Sequence, residues 1–159
     1  MIVRRAIAGD VEALCDIVNE IISIGGTTAM ETPLSPEDFI SHYMTGPMCV
    51  SLMVVELDGV LLGYQALKRS DALPDHCGDI ATFARATGKV KGVGRALFVQ
   101  TQKVAREAGF TQINATIRAD NVPGLGYYSA MGFQDHSVTA GVRLRDGTPV
   151  DRLAKRFQL

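Results

Sequence analysis

What the sequence lacks narrows it first. No apolar run approaches the length needed to cross a membrane, and the opening residues, M-I-V-R-R-A-I-A-G-D, lack the apolar core of a signal peptide. A cytoplasmic protein is expected. Only three cysteines occur, Cys15, Cys49 and Cys77, an odd number with neither C-x-x-C nor metal-ligand spacing. They read as free thiols of a reducing compartment, with no metal site implied. The formal net charge is -1, from 16 basic and 17 acidic residues, which excludes a surface built to coat nucleic acid or membrane. Repeats, linkers and low-complexity segments are also missing. The 159 residues, 47% of them hydrophobic, therefore form one domain with a proper core.

The periodicities alternate between strand and helix. Ile2 to Ala6 reads as a strand broken by Gly9-Asp10, and Asp10 is placed to cap a helix whose stripe is Val11, Leu14, Val18 and Ile21, ending near Ser23. Ile24 to Leu34, with two glycines, three threonines and a proline, is a loop long enough to cover something. Ser35-Pro36-Glu37-Asp38 starts a second helix, ended by Gly46-Pro47. Val50–Glu56 and Val60–Arg69 flank an Asp58-Gly59 hairpin turn. A strand from Asp79, a helix stopped by Gly109, a strand at Thr111–Ile117, a short helix at Val122–Met131 and a final hairpin, Gln134–Arg145 with Val150–Arg156, complete the chain. The order is β α α β β β α β α β β.

One stretch organises the rest: D-I-A-T-F-A-R-A-T-G-K-V-K-G-V-G-R-A-L, Asp79 to Leu97. It leaves a strand, passes a basic glycine turn and enters an amphipathic helix. The first N–H groups of that helix have no intrahelical acceptor and, with the helix dipole, present partial positive charge to an anion such as phosphate. Gly92 and Gly94 have no Cβ to obstruct a bulky diphosphate, and Lys89, Lys91 and Arg95 add charge. Taken alone, the turn reads equally as a glycine loop with a solvated basic rim. A Walker A loop would need G-K-[ST], whereas Arg95-Ala96 follow Gly94. A dinucleotide fingerprint would want glycine or alanine in place of Leu97 and an acid ending the next strand, which has no acid and only Asn114 in that role.

With that order of elements, Lys89-Val90-Lys91-Gly92-Val93-Gly94 resembles the Q/R-x-x-G-x-G/A signature of the GNAT superfamily of N-acetyltransferases. Asn121 followed by Tyr128-Ser129-Ala130-Met131-Gly132-Phe133 resembles the same family's N…Y-x-x-x-G-F segment, and I-V-R-R-A-I-A-G-D-V-E-A-L resembles its opening strand and helix. The likeness spans essentially the whole chain and is greatest to the phosphinothricin and amino-acid N-acetyltransferase branch. Two departures stand out: Lys89 replaces glutamine or arginine, keeping the charge without the planar fork, and Val90 sits where glycine is frequent.

The resemblance implies an α+β fold with a mixed, mainly antiparallel seven-stranded sheet, splayed between strands four and five, and helices on both faces. It implies acetyl-CoA as cofactor, its pyrophosphate at Lys89, Val90, Lys91, Gly92, Val93, Gly94 and Arg95, its pantetheine along Thr82, Phe83 and Ala84, and its arm touching Asn121. Tyr128 is implied as the general acid beside the sulfur, the spacing to Gly132-Phe133 favouring it over Tyr127. Asp79, thirteen positions before Gly92, stands where the branch carries a glutamate base, and reads alternatively as an ordinary polar residue opening a strand. His42 and His76 are fallback bases, each also readable as a surface histidine. In the threonine-rich loop Thr28, Met30 and Glu31 are candidate acceptor contacts, and Glu31 either meets an ammonium group or is simply exposed.

The reaction implied is direct acetyl transfer to the primary amine of a small molecule, an amino acid or an analogue such as phosphinothricin. A peptide-amine acetyltransferase and a non-catalytic acetyl-CoA-binding module are the alternatives. No nucleic-acid or membrane partner is expected. By analogy with the branch a homodimer is, with contacts sought in the hairpin Gln134–Arg156.

Overall fold

A computed structural model describes all 159 residues. Seven strands, β1 (Ile2–Arg5), β2 (Cys49–Leu57), β3 (Val60–Lys68), β4 (Cys77–Ala84), β5 (Gln112–Arg118), β6 (Gln134–Arg143) and β7 (Pro149–Gln158), form one sheet in the order β1-β2-β3-β4-β5-β7-β6. All neighbours are antiparallel except β4 and β5, which α3 (Val93–Glu107) connects as a crossover. The Asp58-Gly59 turn has positive φ at both residues, 51° and 78°, as a two-residue hairpin with strand-compatible twist requires.

Side-chain alternation along the strands sends successive residues to opposite faces, and each face has its own helices. On one, α1 (Val11–Ile24) and α2 (Pro36–Ile40) cover a core that includes Leu14, Ile17, Val18, Phe39, Tyr43, Tyr64 and Phe83. Tyr64 stacks on Phe83 at 5.0 Å and meets Phe39 and Tyr43 edge-on, giving this face a rigid aromatic floor. On the other, α3 and α4 (Val122–Ala130) pack Phe98, Ala105, Tyr128 and Phe133 over Ile80, Ile113, Ala115 and Ile117.

Two local expectations change. Asp10 does not cap α1 with its side chain. A 3-10 turn, Ala8–Asp10, precedes the helix, and the carboxylate accepts the Ile7 N–H at 2.8 Å and a bidentate pair from Arg4. That guanidinium holds the Asp10 carboxyl below its ordinary value. The second helix is regular only to Ile40 and then widens into a π turn, Ser41–Thr45, before Gly46. Its start is as read: Ser35 Oγ accepts from the Asp38 N–H and Asp38 reaches back to Ser35.

The feature that positions the site is the β4–β5 contact. Pairing covers only Cys77–Gln112, Gly78–Ile113 and Asp79–Asn114, after which the strands part. β4 stays joined to β3 through Ala84, and β5 to β7 through Arg118, so neither strand loses its other neighbour. A V-shaped slot through the sheet results.

Candidate active site

The slot opens a cleft of about 660 Å³ walled by β4 from Asp79, the turn from Gly88 into α3, the end of β5, α4 and the loop after α1. Its floor is main chain. Arg85 donates its N–H to Leu62 O, which fixes the phase of the β3–β4 ladder: Ala81 and Phe83 turn their main-chain groups to β3, and Ile80, Thr82 and Ala84 turn theirs into the slot. Of the three residues expected to carry pantetheine, Thr82 and Ala84 thus offer a hydrogen-bonding edge. Phe83 does not, since its main-chain groups face β3, and its ring joins the aromatic floor.

At the α3 end, Gly92 is the N-cap with φ 87°, a left-handed conformation that only glycine adopts without strain. The first helical bond runs from Ala96 N–H to Gly92 O, so the N–H groups of Val93, Gly94 and Arg95 have no acceptor within the helix. Lys89, Val90, Gly92, Val93 and Gly94 line the cleft, while the exposed side chains of Lys91 and Arg95 lie outside its wall. Val93 is buried against Leu97 and Met53, so only its backbone can serve a ligand. Gly94 is small for a reason other than the one expected. A Cβ there would lie 2.5 Å from Tyr127 Cε2, and the Tyr127 hydroxyl donates to Gly94 O at 2.8 Å, so the missing side chain admits a tyrosine ring.

Asn121 caps α4, accepting the Gly124 N–H at 3.0 Å while its amide donates to Thr27 O at 3.1 Å. While serving as cap and loop tether, Asn121 also lines the cleft. Tyr128 is buried, its hydroxyl 2.9 Å from Thr82 Oγ1, and burial raises its phenol well above the ordinary value, offset in part by Thr82. Tyr127 lines the same wall but is engaged with Gly94 and with Gln65, whose Nε2 lies 3.2 Å away.

Asp79 occupies the apex of the V. It faces the α1 side of the sheet, opposite Tyr128, and accepts at 3.0 Å from Asn114 Nδ2, whose own oxygen accepts from Arg156 Nε at 2.8 Å. Burial raises its pKa, while Asn114, Lys68 and Arg156 act the other way, so the carboxylate is a stronger base than a solvated one. Among the fallback bases, His42 lines the cleft on the edge of Tyr43, its pKa lowered by desolvation and Lys68. His76 is exposed in the turn before β4 and does not reach the cleft.

Thr28 and Met30 line the acceptor side, and Tyr43 Oη contacts Met30 Sδ at 3.9 Å. Glu31 does not. Its carboxylate accepts the Arg145 N–H at 2.9 Å, and the Arg145 guanidinium bonds to Thr32, which draws the loop tip onto the β6–β7 turn. The loop is also tied across the slot: Arg118, 7% exposed and paired with Asp120, donates to Thr28 O at 3.1 Å. The sequence reading missed Arg118 and Gln65. The signal for Gln65 was a lone amide inside the apolar strand run Leu61-Leu62-Gly63-Tyr64-Gln65-Ala66-Leu67, a polar group where a core residue belongs.

The profile described as an acetyltransferase (GNAT) domain matches residues 10–153. A phosphinothricin N-acetyltransferase of Streptomyces viridochromogenes is 25% identical over 133 residues, covering 82% of this chain and 73% of that protein. Among solved structures, a ribosomal-protein-alanine N-acetyltransferase from Brucella melitensis superposes with TM-score 0.88 at 21% identity over 100% of both chains. A GNAT superfamily phosphinothricin acetyltransferase from Sinorhizobium meliloti, solved in complex with acetyl-CoA, gives 0.85 at 21% identity over 99% of this chain and 88% of that one. At these identities the two structures speak to the fold, which is the same.

Proposed function

The chain belongs to the GNAT acetyltransferase family, and from that premise we propose that it transfers the acetyl group of acetyl-CoA to the primary amine of a small molecule, an amino acid or a close analogue, by direct transfer. The observation that carries this reading is the placement of Asp79 and Tyr128 on opposite faces of one slot, a base and an acid on either side of a space that both line.

The residues fit the cofactor. Gly92, the free N–H groups at the start of α3 and the Lys89 cation suit a pyrophosphate, and the outward main chain of Thr82 and Ala84 suits an extended amide-bearing arm. When bound, acetyl-CoA supplies a thioester whose carbonyl carbon accepts an amine and whose sulfur departs. Asp79, directly or through one water, removes the proton that makes the amine nucleophilic. Tyr128 delivers its proton to the departing sulfur. The shorter reach of aspartate relative to glutamate is consistent with a bridging water.

A small acceptor is supported by the loop after α1. Its tethers from Thr27 and Thr28 to Asn121 and Arg118 narrow the α1 side of the slot, where an extended peptide would need an open groove. The test is thiol release from acetyl-CoA across a panel of free amino acids, their amides, simple amines and short peptides. Turnover on amino acids is expected. Turnover on peptides alone would overturn the small-acceptor reading, and acetyl-CoA binding without turnover on any amine would overturn transfer itself.

A further inference from the structure

Gln65 lies in the middle of β3, wholly buried, on the face that carries Tyr128. Its Nε2 is 2.8 Å from Thr82 Oγ1 and 3.2 Å from the Tyr127 hydroxyl, and its Oε1 has no partner. A buried, unsatisfied acceptor is costly and calls for a reason.

The reason follows from counting protons. Tyr127 has one hydroxyl proton, and it goes to Gly94 O, which can only accept. Toward Gln65, the Tyr127 oxygen is therefore an acceptor, so the amide must present its NH₂ end there. That fixes the orientation of the amide and leaves Oε1 stranded. The same NH₂ donates to Thr82 Oγ1. Thr82 keeps one proton, and the neighbouring oxygen positioned to take it is that of Tyr128, at 2.9 Å. Were Tyr128 instead to donate to Thr82, the Thr82 proton would be left to the Tyr127 oxygen, which already accepts from the Gln65 amide.

We propose that Gln65 and Thr82 are positioning residues that set the direction of the hydrogen bond at Tyr128: Gln65 donates to Thr82, Thr82 donates to the Tyr128 oxygen, and the Tyr128 proton is left pointing into the slot. This rests on the reading of Tyr128 as general acid. In the transfer, the amine nitrogen bonds to the carbonyl carbon and the carbon–sulfur bond breaks. Sulfur leaves with the electron pair and takes the Tyr128 proton to become a thiol, and the proton lost by the amine passes to Asp79 or water. Thr82 then donates to the phenolate while solvent returns its proton. Gly94, through Tyr127, is the distant anchor of the chain, which links the glycine turn to the acid.

Four enzymes test it: Tyr128→Phe, Thr82→Val, Thr82→Ser and Gln65→Leu. Thr82→Val is expected to lower kcat by about 10-fold or more, as is Tyr128→Phe, with no further loss when the two are combined. Acetyl-CoA affinity by calorimetry should stay within about 2-fold, as expected when only transition-state interactions are lost. Thr82→Ser, which keeps the hydroxyl and loses the methyl, should restore the rate; loss in Thr82→Ser equal to that in Thr82→Val would point to packing and overturn the relay. In the free protein, labelled at the tyrosine ζ-carbons, Thr82→Val and Gln65→Leu should each move the Tyr128 resonance. A resonance unmoved by Thr82→Val would also overturn the relay. The two failures separate: wild-type kcat in Tyr128→Phe removes the acid, whereas a slow Tyr128→Phe with an unimpaired Thr82→Val keeps the acid and removes the relay.

Discussion

Gly94→Ala isolates the coupling between the glycine turn and the tyrosines of α4. The residue sits in the first turn of α3 with helical backbone, so alanine meets no conformational penalty there and would by itself favour the helix by about 1 kcal/mol. The new methyl carbon would lie 2.5 Å from Tyr127 Cε2, 2.9 Å from Cζ and 3.1 Å from Oη, distances that force the ring away. Moving the ring breaks the bonds to Gly94 O and from Gln65, together about 2 kcal/mol, and overpacking adds about 1–3 kcal/mol. The balance is a net loss of roughly 2–4 kcal/mol, or a fall in Tm of roughly 5–15 °C for a chain of this size. Differential scanning calorimetry of the free protein measures it. Gly94→Ala combined with Tyr127→Ala should be less destabilising than the sum of the two single changes, because the clash is gone. Gly92→Ala is the control: its φ of 87° makes any side chain strained, but the space is open apart from Met1 Cε at 3.5 Å, so its loss should add to that of Tyr127→Ala without coupling. An unchanged or raised Tm in Gly94→Ala with Tyr127 in place would refute the reasoning.

Three further changes probe the acceptor side. Burial raises the Asp79 pKa, so the folded chain holds that proton more tightly than the unfolded one, and stability is lost as pH rises from the ordinary carboxylate value through the raised one; Asp79→Asn should therefore melt higher than the parent at pH 7.5, with the gap closing near pH 4, while losing the acidic limb of its rate profile. Arg118→Met removes the donor to Thr28 O, and should raise acceptor KM several-fold and speed proteolytic cleavage within the loop at residues 25–33, with acetyl-CoA affinity little changed. Lys68 is directly opposite Asp79 on β3, half-buried over the Tyr43 ring, and forms no ion pair; if the acceptor carries a carboxylate, Lys68→Met should raise KM for free amino acids more than for their amides, and equal effects on both would exclude Lys68 from carboxylate recognition.

The fold was largely legible because its signals are local. The Asp58-Gly59 turn, the Ser35 capping box, Gly109 closing α3 and the strand-to-helix passage through Gly92 each declare themselves in a few residues, and their order is enough to suggest the family. Element ends shifted by one or two residues, as fraying and bulges dictate. The sequence placed both backbone and side-chain candidates on the cleft, Asp79, Lys89 and Tyr128 among the latter. Thr82, Ala84 and Gly92 line the cleft because main-chain geometry follows from strand and cap. Side-chain roles that depend on distant partners did not follow. Asn121 also caps its own helix, Glu31 is bound by a turn 114 residues away, and the vacancy at Gly94 is filled by a ring 33 residues away. Each of these outcomes is decided by tertiary neighbours that no spacing encodes.

Why the proposed acid and base come to share one slot is a matter of sheet mechanics. A parallel pair in an otherwise antiparallel sheet must be closed by a crossover, here α3, and three paired residues leave β4 and β5 little to hold them together beyond Asp79–Asn114. β7 pairs with β5 along its full length and β3 with β4 from Asp79 to Ala84, so each strand keeps its other neighbour where the two part. That point needs polar filling, because main chain has lost its partners there. Arg156 and Asn114 supply it from the α1 side and end on Asp79. Gln65 and Thr82 supply it from the α3 side and end on Tyr128. Both chains place polar side chains beside the split, and both terminate in a group whose proton affinity burial has raised. The proposed acid and base thus each end a chain of side-chain hydrogen bonds, which is why changes remote from the cleft, at Gly94 or Arg156, are expected to reach the proposed chemistry.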